Sequence, residues 1–473
     1  MPAMIPGEAM DNSKLVRCAR PHGAAWLAVV LGALVAAGAA RAGVPNSDAD
    51  VRALVDHDLA GLVGYYKALH AAPELSHEEE HTAAQLAVEL RAAGYEVIDH
   101  IGSYALPGLK GYGIAAVLRN GPGPTLLIRT DMDALPVEEK TGLPYASKRR
   151  VKSAAGVDLP VMHACGHDIH VTSLIGVARV MARLRDRWSG TLLLVGQPAE
   201  ETIDGAEAML RDRLYERVPK PDMALALHDM PMIPTGTVGL TPGYALAAST
   251  QIDVLVRGVG GHGSRPQDTK DPVVLAANII MQLQTIVARE ISPFDQAVVT
   301  VGTIHGGTKR NVIPDEVKLE LNIRTYKDEV RDHVIQAVAR ITRAAALGAG
   351  VPEERLPLVR VLDTEYAPVL RNDPALVERL RPVFSRVLGP DDVRDVPPEM
   401  GSEDFGRFGL DGKIPALMFW VGSVSADALA ESKRTGIPVP SNHSSLFAPV
   451  PEPTIRTGIV AMSAAALELL ARP

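Results

Sequence analysis

The chain of 473 residues has only two cysteines, Cys18 and Cys165, and only 4% of it is aromatic. So few cysteines exclude a disulfide-stapled scaffold, and so few aromatic rings leave little with which to stack bases. There is no basic stripe. The formal charge is −8 and the pI near 6.0, with both signs well mixed, so nucleic acid is not an expected partner. Low-complexity tracts and internal repeats are missing as well. Hydrophobic residues, by contrast, reach 47%. That supports a substantial core in a chain too long for a single one, and two domains of unequal size are expected.

Cys18 lies in a segment that reads as a removable export signal. Lys14, Arg17 and Arg20 precede an apolar run from Ala24 to Ala40, and Ala40-Arg41-Ala42 makes a small-x-small cleavage pattern. Cleavage after Ala42 is expected, giving a periplasmic or secreted protein without stable membrane association. An uncleaved anchor is the competing reading, since the run nears the lower length limit of a spanning helix. Cys165 would then be the sole cysteine of an exported protein, where an exposed free thiol is a liability. It is either buried and inert or protected as a ligand.

Its neighbours favour the ligand. The stretch His163-Ala164-Cys165-Gly166-His167-Asp168-Ile169-His170 packs three imidazoles, a carboxylate and a thiol into eight residues. Thiolate and imidazole are the preferred donors of zinc and similar ions, and Gly166 allows the tight backbone path that would let Cys165 and His167 face one ion.

Short runs rich in Val, Ile and Leu alternate with helix-length segments: Gly113 to Leu118, Thr125 to Arg129, Thr191 to Val195, Met223 to Leu227 and Ala416 to Val421. They read as buried strands of a mostly parallel α/β sheet. Polar residues follow several of them, namely Asp131 and Asp133, Glu200 and Glu201, and His228. Sites in such sheets form at the carboxyl ends of strands, so these residues should converge on one rim. Glu200 and Glu201 are placed at the start of a helix, where they could also do no more than complement its dipole. From residue 248 to 364 the rhythm becomes β-α-β-β-α-β, the order of a ferredoxin-like split unit. The expected organisation is a signal over 1–42, a metal-binding catalytic domain over 43–247 and 365–473, and an inserted α+β domain over 248–364. Linkers are expected near Thr241 to Ala248 and Glu365 to Asn372.

With these residues assembled, the chain resembles the aminoacylase and carboxypeptidase family of dinuclear metallohydrolases. The branch is that of hippurate hydrolases, N-acyl-amino-acid amidohydrolases and plant auxin-conjugate hydrolases. The resemblance runs from about Leu69 to Leu469. It rests on Leu69-His70-Ala71-Ala72-Pro73-Glu74-Leu75-Ser76, Arg129 to Pro136, Met162 to His170 and Gln197-Pro198-Ala199-Glu200-Glu201, with Gly260-Gly261-His262, Asn311-Val312-Ile313-Pro314 and Gly401-Ser402-Glu403-Asp404-Phe405. It implies metal ligands at Cys165, His167, Glu201, His228 and His443, one group bridging two divalent ions, and Glu200 as catalytic base. In relatives a proline often stands two residues after this last histidine, where this chain has Ser445. The resemblance also implies that His262 reaches the site across a dimer interface and stabilises an oxyanion. Asn311 is implied to contact substrate, Arg324 could pair with a substrate carboxylate through its planar fork, and the inserted domain would serve dimerisation and closure. Asp131 and Asp133 are expected to orient ligands. Asp168, His170 and His163 are expected to pack or support them.

The expected protein is therefore an exported amidohydrolase acting on N-acyl amino acids or related conjugates. Its expected form is a homodimer with a small-molecule amide substrate and two ions per subunit drawn from manganese, zinc, cobalt and nickel. The alternatives are a metallo-dipeptidase or carboxypeptidase, and a binding protein that retains the fold without turnover. A disulfide exchanger would need a second thiol.

Overall fold

Four of the buried runs lie side by side and parallel at the centre of an eight-stranded sheet. In spatial order the strands are Glu96–Ile101, Gly113–Asn120, Gly190–Gln197, Thr125–Asp131, Met223–Pro234, Ala416–Val424, Val238–Leu240 and Val393–Asp395. The pairs from Gly190–Gln197 to Ala416–Val424 are parallel, and antiparallel pairs flank them on both sides. This is a computed structural model describing residues 47–153 and 156–472. The expected export signal, residues 1–42, lies outside the described residues.

The central strands are continuously apolar because helices cover both faces. Helices Ser47–His70, His167–Arg183 and Pro451–Leu469 share one core, which includes Ile169, Leu174 and Ile459. The opposite face is filled by Ala206, Met209, Phe405 and Phe408. All five expected strands prove longer than their apolar runs, and two of them bear on the site. The first is Gly190–Gln197, and the second, Met223–Pro234, contains His228 rather than ending before it. Pairing with the Ala416–Val424 strand continues past His228, which stands opposite Trp420.

A second, four-stranded antiparallel sheet runs Ala297–Gly306, Glu316–Thr325, Ala248–Arg257 and Leu358–Ala367 in space. Helices Pro272–Thr285 and Asp328–Gly348 complete the β-α-β-β-α-β order, and this unit has its own apolar core, including Ile252, Ile279 and Val338. Its central strands alternate buried and half-buried residues, as a sheet packed on one face requires. The last strand continues beyond residue 364 to Ala367. The first of these helices is regular from Pro272 to Thr285 and then widens into a π-helical turn over Ile286–Glu290. Both expected linkers acquire structure, because Gly243–Leu246 and Leu370–Asn372 pair antiparallel as a two-stranded ribbon.

Candidate metal centre

Gly166 is the backbone device that brings Cys165 and His167 together. Its φ is 82°, a left-handed value that opens helix His167–Arg183, and a Cβ there would stand 2.1 Å from Asp229 Oδ1. On the neighbouring strand's exit, Ala199 and Ile203 also have positive φ (52° and 60°). Left-handed residues cannot propagate a right-handed helix. Glu200 and Glu201 therefore sit in a turn, and the helix expected to begin with them starts at Gly205. His443 has φ 68°, and its amide donates to the Ala164 carbonyl at 2.7 Å.

Several groups of donor atoms, each mutually within 4.8 Å, form here among the described residues, with Cys165, His167 and His228 in one and Cys165, Glu201 and His443 in another. Cys165 is common to these two, and His167 recurs in further groups with Asp131 and His170 and with Glu200 and Glu201. The His228 Nδ1–H donates to the Asp229 carbonyl (2.8 Å), which turns the Nε2 lone pair towards Cys165 Sγ at 3.6 Å. The His167 Nδ1–H likewise donates to the Asp133 carbonyl (2.8 Å). His167 Nε2 is buried without a hydrogen-bond partner among the described residues, and Glu201 Oε1, also buried and without one, lies 3.4 Å from His443 Nε2 and 3.9 Å from His167 Nε2.

The charges fit a cation as well as the geometry does. Burial, with Glu201, Glu200, Asp229 and Asp131 nearby, pushes the Cys165 thiol well above its ordinary pKa, so a thiolate at this spot needs positive charge beside it. Burial, reinforced by His170, depresses His228 to about 4, which keeps it a neutral donor. For His167 burial is outweighed by Asp131, Asp133 and Glu201, which raise it to about 10. The pocket thus attracts positive charge at the nitrogen that faces it.

Glu200 lies beside these donors, 6% exposed, with its Oε2 3.8 Å from His167 Nε2. Burial and the carboxylates of Glu403, Glu201 and Asp404 raise its pKa well above the usual range, against the pull of Arg129. A carboxylate with raised proton affinity is what a general base near neutral pH requires. Asp131 accepts from the His170 Nδ1–H at 2.6 Å, and Asp133 accepts from Ser76 Oγ at 2.6 Å and from the Glu201 amide at 3.0 Å. His170 Nε2 accepts from the Asp229 amide at 2.9 Å, so both of its ring nitrogens are engaged. Asp168 holds His70 at 2.6 Å, and His163 is buried with neither nitrogen partnered among the described residues.

A cleft of about 740 Å3 opens over the centre. Arg324 lines it, donating through Nη1 to the Met400 carbonyl (2.7 Å) and Ser402 Oγ (3.1 Å), and Met230, Met232, Leu246 and Trp420 supply an apolar wall. His262 and Asn311 are not lining residues of this cleft. They are exposed neighbours on a separate two-stranded ribbon, where Gly261–His262 pairs with Val312–Ile313.

Two groups escaped the sequence reading. Asp229 is buried at 1% exposure, beneath Gly166 and beside His170 and Asn442. Arg129, fully buried, reaches Asp131, Glu403 and Gln197, each at 2.7 Å. The signal for Arg129 was a cation inside an apolar run. Asp229 offered none beyond its place next to His228.

Comparison with known proteins gives a consistent result. The family model described as peptidase family M20/M25/M40 matches residues 127–437. An N-acetyl-L-cysteine deacetylase of Bacillus subtilis is 36% identical over 351 residues, 73% of this chain and 77% of its own. A hippurate hydrolase of Campylobacter jejuni is 34% identical, covering 72% of this chain and 82% of its own. Among solved structures, a dinuclear metal-binding M20 peptidase from Bacillus subtilis superposes with a TM-score of 0.69 at 26% identity, over 88% of this chain and 99% of that one.

Proposed function

Since the chain belongs to peptidase family M20/M25/M40, we propose that it is an exported, two-metal amidohydrolase that splits N-acyl amino acids or related conjugates into a carboxylic acid and an amino acid. The observation that carries the reading is Cys165, shared by two donor groups, with the buried base Glu200 beside them. Cys165, His167 and His228 would hold one divalent ion, and Cys165, Glu201 and His443 the other. When bound, such ions supply Lewis acidity towards the amide carbonyl and lower the pKa of water.

The chain's own residues do the rest. Glu200 takes the proton of the attacking water and returns it to the leaving amine, a task for which its raised proton affinity suits it. Arg324 receives the free carboxylate of the amino-acid part, and the Met230, Met232 and Trp420 wall takes the acyl group. His262 serves as oxyanion donor from a second copy of the chain. Its absence from the lining of the cleft of its own subunit supports that assignment. So does the exposed Ala297–Gly306 edge strand beside Val274 (66% exposed) and Met281 (70% exposed) of the neighbouring helix: long unpaired edges and apolar helix faces invite a partner. Export rests on the pattern of residues 1–42.

The test uses chelator-stripped mature protein reconstituted separately with manganese, zinc, cobalt and nickel. It is assayed on N-acetyl amino acids, N-benzoylglycine and dipeptides, with Glu200→Gln in parallel. Metal-restored release of amino acid from acylated substrates is expected, with turnover in Glu200→Gln reduced by about 100- to 10,000-fold while metal content is kept. Preference for dipeptides would move the substrate class to peptides, and full turnover in Glu200→Gln would remove the base.

A further inference from the structure

Glu79 is fully buried at the N-cap position of helix Glu80–Ala92, yet its side chain does not cap that helix. Instead it crosses to the turn that carries the base. Glu79 Oε1 accepts the amide of Ala199 at 2.7 Å. On the other side of Glu200, the amide of Glu201 is accepted by Asp133 Oδ2 at 3.0 Å. The Pro198–Ala199 and Glu200–Glu201 peptide units, which bracket the Ala199–Glu200 pair, are thus each held by a buried carboxylate. Ala199 needs such a hold, because a non-glycine residue at φ 52° is in a sparsely populated conformation that persists only where its surroundings impose it.

We propose that Glu79 is a positioning residue for Glu200, fixing the left-handed turn at Ala199 that aims the base into the cleft. The inference rests on the reading of Glu200 as the base. The side chain acts as an acceptor. Burial and the adjacent charge of Asp133 raise its carboxyl well above the usual range, and Oε2 has no hydrogen-bond partner among the described residues. A glutamine keeps an oxygen that can accept the Ala199 amide, whereas leucine fills the space without an acceptor.

The experiment compares Glu79→Gln, Glu79→Leu and Glu79→Ala with wild type and Glu200→Gln in the metal-loaded full-length protein. It measures kcat and KM, metal content, and hydrogen exchange of the 198–205 segment. Expected are a near wild-type kcat for Glu79→Gln and a kcat lowered about 100-fold in Glu79→Leu and Glu79→Ala. KM and metal content should stay unchanged, and faster exchange should be confined to the 198–205 turn. Equal kcat in the Gln and Leu variants would overturn the proposal, as would loss of metal or of the whole fold in both Leu and Ala. If Glu200→Gln is itself fully active, the reading of the base has failed. If Glu200→Gln is inactive and Glu79→Leu is not, only the positioning role has.

Discussion

Replacing Gly166 by alanine tests how the two donors flanking it are brought together. The substitution imposes a left-handed φ of 82° on a residue with a Cβ, costing about 1–2 kcal/mol. It also drives the new methyl to 2.1 Å from Asp229 Oδ1, so that the oxygen must retreat by about 1 Å to reach the 3.0 Å limit of real contacts. Asp229 is buried, with Oδ1 3.4 Å from both His170 Nε2 and Asn442 Nδ2. Disturbing those contacts adds about 1–3 kcal/mol. Together these give about 2–5 kcal/mol. Gly94→Ala isolates the backbone part, since Gly94 has φ 89° with nothing within 4 Å of its would-be Cβ; it should cost only about 1–2 kcal/mol. Urea unfolding of both variants measures the difference, and competition with a chromogenic chelator measures metal affinity. Affinity should fall about 10- to 100-fold in Gly166→Ala alone. Equal destabilisation of the two variants with unchanged metal affinity would refute the close-approach argument.

Arg129→Met leaves Asp131 and Glu403 buried without their cation. It should destabilise by about 3–5 kcal/mol in denaturant unfolding, and a wild-type unfolding midpoint would show that the guanidinium is dispensable. His70 is buried between Asp168 at 2.6 Å and Glu139 at 3.2 Å, and although burial opposes it, these hydrogen-bonded carboxylates raise its pKa from 6.5 to about 10. A raised value means that its stabilisation is complete below the ordinary pKa and is lost as pH climbs through the folded one. The stability gap between wild type and His70→Asn should therefore shrink between pH 6.5 and 10; a gap constant over that window would mean that His70 does not carry charge.

Local pattern reveals some of this molecule and not the rest. Strands such as Thr125–Asp131 were legible because burial on both faces demands an unbroken apolar run, and the smaller unit because its strands alternate with period two. Cys165 and His167 were legible because both donors lie within three residues. The Arg129 network joins positions 274 residues apart, and nothing near Arg129 in the chain announces Glu403. His228 was misplaced relative to its strand because pairing with Ala416–Val424, not hydropathy, decides where that strand ends. The turn at Glu200 was misread as a helix start because proline and acids suit both, and only the left-handed backbone of Ala199 and Ile203 separates them.

The strand order also dictates a sequence of events during synthesis. Ala416–Val424 lies between Met223–Pro234 and Val238–Leu240, two strands made nearly two hundred residues earlier. Until it emerges from the ribosome, the strand bearing His228 keeps a bare apolar edge, and the last donor, His443, does not yet exist. A growing chain can therefore finish its smaller sheet well before the large one, whose final pairing must wait for a late strand to slot into its middle. Such non-local closure is the slow kind, and it delays the assembly of a reactive centre until almost the whole protein has been made.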